Sequence, residues 1–347
     1  MRYPANLDNN GTIGFTAPSF GCATEPYKTA FVRAQEQFHN RGYSLAFGKN
    51  CYLSNGIGIS DTPEKCAEDL EEMYLSKNND VLISCGGGEL MCEILPHLDF
   101  KKIKNAEPKW FLGYSDNTNF TFLQNTICDT AAIYGSCAAA FGMNPWAESL
   151  EDTFAVLTGM KKQFSGYELW EKESLKTEEN PTPQYHLTEK KELIRYVGAR
   201  KAAQEEELVF EGRLIGGCMD CLVNLTGTQF DYVKEFNERY QKDGLIWFLE
   251  SCDLNVFAIR RAMWQMEQAD WFQYVKGFII GRPLVFGQEM MGLNQYEAVM
   301  GIIGKYHVPV IMDADIGHLS PTVPMVSGSI ARVVANQHNW SITYDYR

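Results

Sequence analysis

One serine of the chain stands in a context that could make it a nucleophile. Ser115 lies in the stretch Gly-Tyr-Ser-Asp-Asn-Thr at 113–118, which follows the apolar run 110–112 and precedes a helix predicted at 117–125. A sharp strand-to-helix turn exposes a serine hydroxyl, and the first helical amides can stabilise an oxyanion. Asn117 stands where the G-x-S-x-G signature of α/β hydrolases has its second glycine. The turn therefore predicts nucleophilic chemistry outside the usual hydrolase motif.

A nucleophilic serine needs a general base, and one of the six histidines is well placed to act as one. His318 follows the small-residue loop Asp-Ala-Asp-Ile-Gly at 313–317, directly after an apolar strand predicted at 308–312. A loop histidine held by a rigid strand can face a cleft and exchange protons there. The other histidines lie on a helix, at a helix exit, in a charged segment, before a strand and in a polar tail segment: His39, His97, His186, His307 and His338.

The third member of a serine triad is a carboxylate that orients the imidazole. The run Leu-Ile-Trp-Phe-Leu-Glu at 245–250 predicts a buried strand that ends in an acid, Glu250. Burying a glutamate is unfavourable unless the carboxylate is paired. The residues alone leave two alternatives, a glutamate exposed at the strand end or one held by a partner.

The first half of the chain alternates strands and helices. Apolar, β-branched runs indicate strands, and apolar residues spaced three and four apart indicate helices. The alternation predicts a parallel sheet with helices on both faces, and ligands bind such sheets at the carboxyl ends of the strands. The predicted strands are 11–18, 43–47, 80–84, 110–113 and 133–135, the helices include 29–41, 61–75 and 117–125, and the candidate site loops are 18–19, 86–88 and 114–116.

The glycine turn 86–88 has two interpretations. A phosphate-binding loop would need a following Lys-Ser/Thr pair or the pattern G-x-G-x-x-G, and neither is present. Glu89 would also repel a phosphate. The turn is either a tight connection from a strand to a helix or the source of a backbone amide for an oxyanion hole beside Ser115.

The segment 163–208 is charged and rich in loop-forming residues. It predicts a linker or loop between an N-terminal domain at 1–162, which carries the serine, and a C-terminal domain at 209–347, which carries the glutamate and the histidine. Trp170 is unexpected in so polar a segment. Its ring could stack on a substrate or pack against its own domain.

Composition narrows the classes of function. A hydrophobic content of 45% in 347 residues is typical of a folded globular protein. A net charge of −13 argues against a nucleic-acid partner, which would require clustered Lys and Arg. No window approaches the roughly 20 apolar residues of a membrane span, and residues 1–10 are too polar for a signal sequence. We therefore expect a cytoplasmic protein with neither a nucleic-acid nor a membrane partner.

The ten cysteines lie mostly in apolar runs and indicate reduced, buried thiols. Cys218 and Cys221 have the C-x-x-C spacing of zinc sites and redox dithiols. No second pair or well-spaced histidines follow, and the preceding pair of glycines is unlike a thioredoxin-type motif. We predict instead a buried helix at 218–225, and we expect no metal and no cofactor.

Together these motifs resemble the LD-carboxypeptidase family, which contains the muramoyl-tetrapeptide carboxypeptidases and the hydrolases that give immunity to microcin C. Ser115, Glu250 and His318 follow one another in the family's order, and the similarity extends over nearly the whole chain. It includes the strand and Pro-Ser loop at 13–19, the turn 86–88, Leu-Pro-His-Leu-Asp-Phe at 95–100, Leu-Ile-Gly-Gly at 214–217 and Gly-Phe-Ile-Ile-Gly at 277–281.

The resemblance implies a serine peptidase without a metal. Ser115 would be the nucleophile, His318 the general base and later the acid, and Glu250 the residue that orients the imidazole. The backbone amides of Asp116 and Gly87 would form the oxyanion hole. The family also implies an N-terminal parallel-sheet α/β sandwich, a β-rich C-terminal α/β domain and a homodimer.

The resemblance implies that the substrate is an LD-peptide of the murein type or an aminoacyl-nucleotide of the microcin C type, with contacts expected at Ser19, Gly88 and Trp170. The long charged segment with its tryptophan favours the microcin-immunity branch. Two positions depart from the family, because Cys218 stands where asparagine often follows the glycine pair and Ser251 stands where an acid often follows the glutamate. These departures leave open a non-catalytic protein that binds peptides or nucleotide-like ligands on the same fold.

Overall fold

The computed structural model describes residues 1–347, which form two compact units. Unit 1 comprises Met1–Lys161, Glu173–His186 and Pro324–Val326, and unit 2 comprises Lys162–Lys172, Leu187–Val323 and Ser327–Arg347. The segment 163–208, predicted as a linker, is thus divided between the two units. Its charges indicate solvent exposure, but they carry no information about which unit each part joins.

The chain contains nineteen strands and nine α-helices, and no helix combines the length and the apolar character that crossing a bilayer requires. The strands are β1 Thr12–Thr16, β2 Ser44–Phe47, β3 Val81–Ser84, β4 Phe111–Gly113, β5 Ala132–Tyr134, β6 Gln163–Ser165, β7 Leu169–Trp170, β8 Glu189–Lys190, β9 Ile194–Val197, β10 Arg200–Lys201, β11 Leu208–Cys218, β12 Leu245–Glu250, β13 Val275–Gly281, β14 Glu289–Met290, β15 Leu293–Asn294, β16 Pro309–Ala314, β17 Met325–Ser327, β18 Ile330–Ala335 and β19 Trp340–Asp345. The α-helices are α1 Tyr27–Asn40, α2 Pro63–Leu75, α3 Phe100–Asn105, α4 Thr118–Thr126, α5 Glu148–Leu157, α6 Met219–Leu225, α7 Val233–Tyr240, α8 Val256–Gln268 and α9 Gln295–Ile303.

Unit 1 contains a six-stranded sheet in the order β17-β5-β4-β3-β1-β2. Strands β1 to β5 pair in parallel, as the alternation of strands and helices predicts. The helix predicted after the glycine turn is a 3₁₀ helix, Met91–His97. It contains Pro96, which has no N–H to donate to an α-helical hydrogen bond.

Helix α1 packs onto this sheet through one apolar face. Its buried side chains are Ala30, Phe31, Ala34 and Phe38, spaced three and four residues apart. The Phe38 ring belongs to an aromatic cluster, with ring centroids 5.9 Å from Phe15, 5.2 Å from Phe141 and 5.6 Å from Trp146. This aromatic packing holds α1 against the sheet whose strands precede the candidate site loops.

Replacing Phe38 with alanine tests this packing. We expect Phe38→Ala to lower the free energy of unfolding by about 3–5 kcal/mol, because the fully buried ring leaves a cavity among aromatic neighbours. Val32→Ala, on the exposed side of the same helix, is the matched control and should change stability by about 0.5 kcal/mol or less. Chemical denaturation followed by circular dichroism measures both, and equal losses would contradict the assigned helix face.

Unit 2 contains a nine-stranded sheet in the order β10-β9-β16-β13-β12-β11-β18-β19-β6. The four central strands, β16, β13, β12 and β11, are parallel, and antiparallel strands extend the sheet on both sides. The β-rich character predicted for the C-terminal half is therefore confirmed. Strands β6, β9 and β10 come from the segment 163–208, which thus contributes to both edges of the sheet.

Candidate active site

Ser115 lies on a strained turn between β4 and α4. It begins a one-turn 3₁₀ segment, Ser115–Asn117, and its φ of +60° is in the left-handed region that non-glycine residues avoid. Such strain is typical of nucleophile turns. The Ser115 N–H donates to the hydroxyl of Tyr134 on β5 at 3.1 Å, which helps to hold the turn.

The glycine turn after β3 packs directly against this serine. A Cβ built on Gly87 would lie 3.2 Å from the Cβ and 3.4 Å from the Oγ of Ser115. The preceding carbonyl, that of Gly86, accepts hydrogen bonds from Asn117 Nδ2 at 2.8 Å and from Ser84 Oγ at 3.0 Å. The structure therefore brings together the three residues predicted for the nucleophile and the oxyanion hole in unit 1.

The carboxylate of Asp116 helps to hold the same turn in place. It is buried and accepts hydrogen bonds from Ser19 Oγ at 2.5 Å, the Met91 N–H at 2.9 Å and Asn119 Nδ2 at 3.0 Å. Burial raises the pKa of Asp116 and outweighs the opposing effect of these hydrogen bonds. Ser19, predicted to contact substrate, is fully buried and holds Asp116, and a Cβ on Gly88 would overlap the Ser19 hydroxyl.

Trp170 is packed inside unit 2, where only 3% of it is exposed. The Arg282 guanidinium lies 4.9 Å from the centroid of its ring, and Phe286 packs edge-on at 5.0 Å. Its indole N–H donates to the Lys190 carbonyl at 3.3 Å. Of the two alternatives that the sequence leaves for Trp170, the structure shows packing against Arg282 and Phe286, and a contact with substrate stays a prediction.

Glu250 and His318 form a hydrogen-bonded pair in unit 2. Glu250 ends β12 with no exposed surface, and its Oε2 lies 2.8 Å from Nδ1 of His318 in the loop after β16. The His318 side chain is 13% exposed. Of the two alternatives for Glu250, the structure has the paired one, which offsets the desolvation of the carboxylate.

The pair controls the protonation of the imidazole. Burial by itself lowers the pKa of His318, but the charge of Glu250, together with hydrogen bonds from His318 to the side chains of Cys252 and Glu250, raises it well above the ordinary value of 6.5. A histidine must be neutral to accept a proton. His318 therefore becomes available as a base only on the alkaline side of its ordinary pKa.

Two glycines to which the sequence analysis assigned no role make room for Glu250. A Cβ on Gly317, whose φ is +107°, would lie 2.5 Å from Glu250 Oε2. A Cβ on Gly281, at the end of β13, would lie 2.9 Å from the Cβ of Glu250. Two features of the sequence could have indicated these close approaches. Gly317 directly precedes His318, and Gly281 ends the strand β13 that pairs with β12.

The C-x-x-C pair lies at the start of α6, Met219–Leu225, where the sequence predicts a buried helix. Cys218 and Cys221 are buried free thiols, and burial raises the pKa of Cys218 well above its ordinary range. The Cys218 thiol donates to the carboxylate of Asp220 at 3.3 Å. The same carboxylate accepts the N–H groups of Cys252 at 3.1 Å and Asp253 at 2.8 Å. Asp220, which the sequence did not single out, thus ties the loop after Glu250 to α6.

Adding one methyl group at Gly317 tests the fit around Glu250. We expect Gly317→Ala to lower the free energy of unfolding by about 1–3 kcal/mol more than Gly287→Ala, because the new methyl group would meet the Glu250 carboxylate. Gly287 is a matched control, with a φ of +81° and no heavy atom within 4 Å of an added Cβ. Urea denaturation of both variants measures the difference, and equal losses would show that only backbone strain matters.

The pH dependence of His318 tests the pair directly. Glu250→Gln removes the negative charge, so the pKa of His318 should move to lower pH, while Glu211→Gln at an exposed site should leave it unchanged. Because the folded pKa lies above the unfolded value, the pair stabilises the fold fully below pH of about 6.5 and loses this effect as pH rises through the folded pKa. NMR titration of the imidazole measures the midpoint, and a midpoint that does not fall in Glu250→Gln would refute the assignment.

The sequence was compared with models of known protein families. Residues 13–135 match the LD-carboxypeptidase N-terminal domain, and residues 211–333 match the LD-carboxypeptidase C-terminal domain. The chain belongs to the LD-carboxypeptidase family. Ser115 falls within the first match, and Glu250 and His318 fall within the second. The family is one of peptidases, so the chain has the framework of a hydrolase.

Individual relatives of this LD-carboxypeptidase family member are distant but cover most of its length. The microcin C7 self-immunity protein MccF of Escherichia coli is 26% identical over 99% of this chain and 96% of that protein. A murein tetrapeptide carboxypeptidase of Pseudomonas aeruginosa is 22% identical over 74% of this chain and 71% of that protein. A structure of MccF in complex with aspartyl sulfamoyl adenosine has a TM-score of 0.81 at 24% identity, covering 100% and 99% of the two chains, and so the two share a fold.

Proposed function

We propose that this protein is a serine peptidase or amidase that uses Ser115, His318 and Glu250 as a catalytic triad. The observation that carries the proposal is the buried hydrogen bond between Glu250 and His318. A fully buried carboxylate on an imidazole is the acid–base half of a triad, because it selects the ring tautomer and stabilises the imidazolium. The left-handed turn at Ser115 supports the nucleophilic half, and membership of a peptidase family supports both.

In the proposed reaction, neutral His318 accepts the hydroxyl proton while Ser115 Oγ forms a bond to the scissile carbonyl carbon. The resulting oxyanion accepts hydrogen bonds from the backbone amides of Asp116 and Gly87. His318 then donates its proton to the leaving amine as the C–N bond breaks, which leaves an acyl-enzyme on Ser115. Water, deprotonated by His318, then attacks that ester; the bond from Ser115 Oγ to the acyl carbon breaks, His318 returns the proton to Oγ, and a carboxylic acid is released.

The substrate class we favour is an aminoacyl-nucleotide of the microcin C type over an LD-peptide of murein. The MccF relative extends over almost the whole chain, whereas the murein carboxypeptidase aligns with about three quarters of it. Solved structures of MccF hold aspartyl sulfamoyl adenosine or glutamyl sulfamoyl guanosine. Trp170 gives no support to this choice, because its ring is packed within unit 2.

Two substitutions test the catalytic roles. Ser115→Ala and His318→Ala should each lower kcat by about 10⁴-fold or more, because each removes a member of a unit that acts together. Ser44→Ala and His39→Ala replace exposed residues of the same types and should retain full activity. Circular dichroism confirms folding, and a folded Ser115→Ala variant with parental activity would exclude the triad.

A comparison of two substrates resolves the class of bond cleaved. The purified protein is incubated with aspartyl sulfamoyl adenosine, scored for released aspartate, and with a murein tetrapeptide, scored for released D-alanine. We expect faster release of aspartate. Faster release of D-alanine would assign the murein-type activity, and tight binding of either compound without turnover would favour a non-catalytic binding protein.

A further inference from the structure

Asn117 stands where the α/β-hydrolase signature has a glycine, and its side chain is engaged with the oxyanion-hole loop. The residue is fully buried. Its Nδ2 donates to the carbonyl of Gly86 at 2.8 Å and to the carbonyl of Tyr114 at 3.1 Å. Ser84 Oγ donates to the same Gly86 carbonyl at 3.0 Å. Two side chains from neighbouring strand ends therefore hold a single carbonyl oxygen.

Holding this carbonyl also sets the direction of the next amide. The peptide bond between Gly86 and Gly87 is trans, so the Gly87 N–H points away from the Gly86 carbonyl. A peptide unit between two glycines rotates more easily than any other, because neither residue has a Cβ to restrict it. A rotated unit would turn its carbonyl oxygen, and not its N–H, to the side where the oxyanion forms.

We propose that Asn117 is a positioning residue that keeps the Gly87 amide oriented as an oxyanion donor. This inference rests on the proposed function, in which that amide stabilises the oxyanion on the Ser115 adduct. The Asn117 N–H also donates to the Tyr114 carbonyl at 3.2 Å, so the side chain that holds the glycine turn is anchored within the nucleophile turn. The nucleophile and the donor are thereby kept in register across two separate loops.

A fluorophosphonate tests this role without a known substrate. Ser115 Oγ attacks phosphorus, a P–O bond forms, fluoride leaves, and the serine proton passes to His318. The phosphoryl oxygen occupies the position of the oxyanion, so the rate depends on the donors there. Asn117→Leu, which cannot donate to Gly86, should lower the second-order labelling rate by about 10²-fold, the usual effect of losing one oxyanion-hole donor.

A matched substitution separates this role from general stability. Asn125, on the following helix α4, is also buried, and its Nδ2 donates to a backbone carbonyl, that of Thr130, at 2.8 Å. Asn125→Leu should lower the melting temperature about as much as Asn117→Leu and yet leave the labelling rate within about 2-fold of the parental rate. If Asn117→Leu fails to fold, Asn117→Ser tests the same point with a shorter polar side chain that does not reach Gly86.

The pH profile of labelling provides a second readout. Loss of the oriented amide should lower the maximal labelling rate that is reached at high pH. The pH at which the rate is half-maximal reports the pKa of His318 and should not change. A folded Asn117 variant that labels at the parental rate would overturn this inference alone. A parental protein that is not labelled at Ser115 would overturn the proposed function and, with it, this role of Asn117.

Discussion

The hydrogen bond between Glu250 and His318 constrains much of unit 2. A carboxylate with no exposed surface must be paired, because its desolvation is otherwise not offset. Pairing in turn requires space, which Gly281 and Gly317 provide by having no Cβ. It also requires a fixed loop after β12, which Asp220 supplies by accepting two of its backbone N–H groups. The ends of the parallel strands β12, β13 and β16 therefore provide the residues that hold this buried pair.

In unit 1 a second buried, hydrogen-bonded carboxylate supports the turn that carries the proposed nucleophile. The carboxylate of Asp116, within this turn, is buried and accepts hydrogen bonds from Ser19, Met91 and Asn119. These donors come from the segments that follow β1, β3 and β4, so the carboxylate links the chain beyond three strands of a parallel sheet. The left-handed backbone of Ser115 is unfavourable by itself, and this network stabilises it.

The surroundings of a single residue are what a local sequence pattern predicts least. Trp170 and Ser19 are predicted to contact substrate, and in the structure the Trp170 ring lies beside the Arg282 guanidinium while the Ser19 hydroxyl donates to Asp116. A tryptophan in a polar segment and a serine in a strand-end loop have the same local signature whether they face a ligand or the interior. The charged segment 163–208 contains short strands that the pattern of its charges does not reveal.

The sequence by itself determined the alternation of strands and helices, the strand ends that carry Ser115, Glu250 and His318, and the family. These features depend on periodicity and on motif order, which are local properties of the chain. Tertiary structure alone decided that Glu250 is paired and not exposed, that Gly317 leaves room for its carboxylate, and that Asn117 reaches the Gly86 carbonyl. Each of these is a contact between residues at least 31 positions apart or a close approach between loops, and no local pattern encodes such distances.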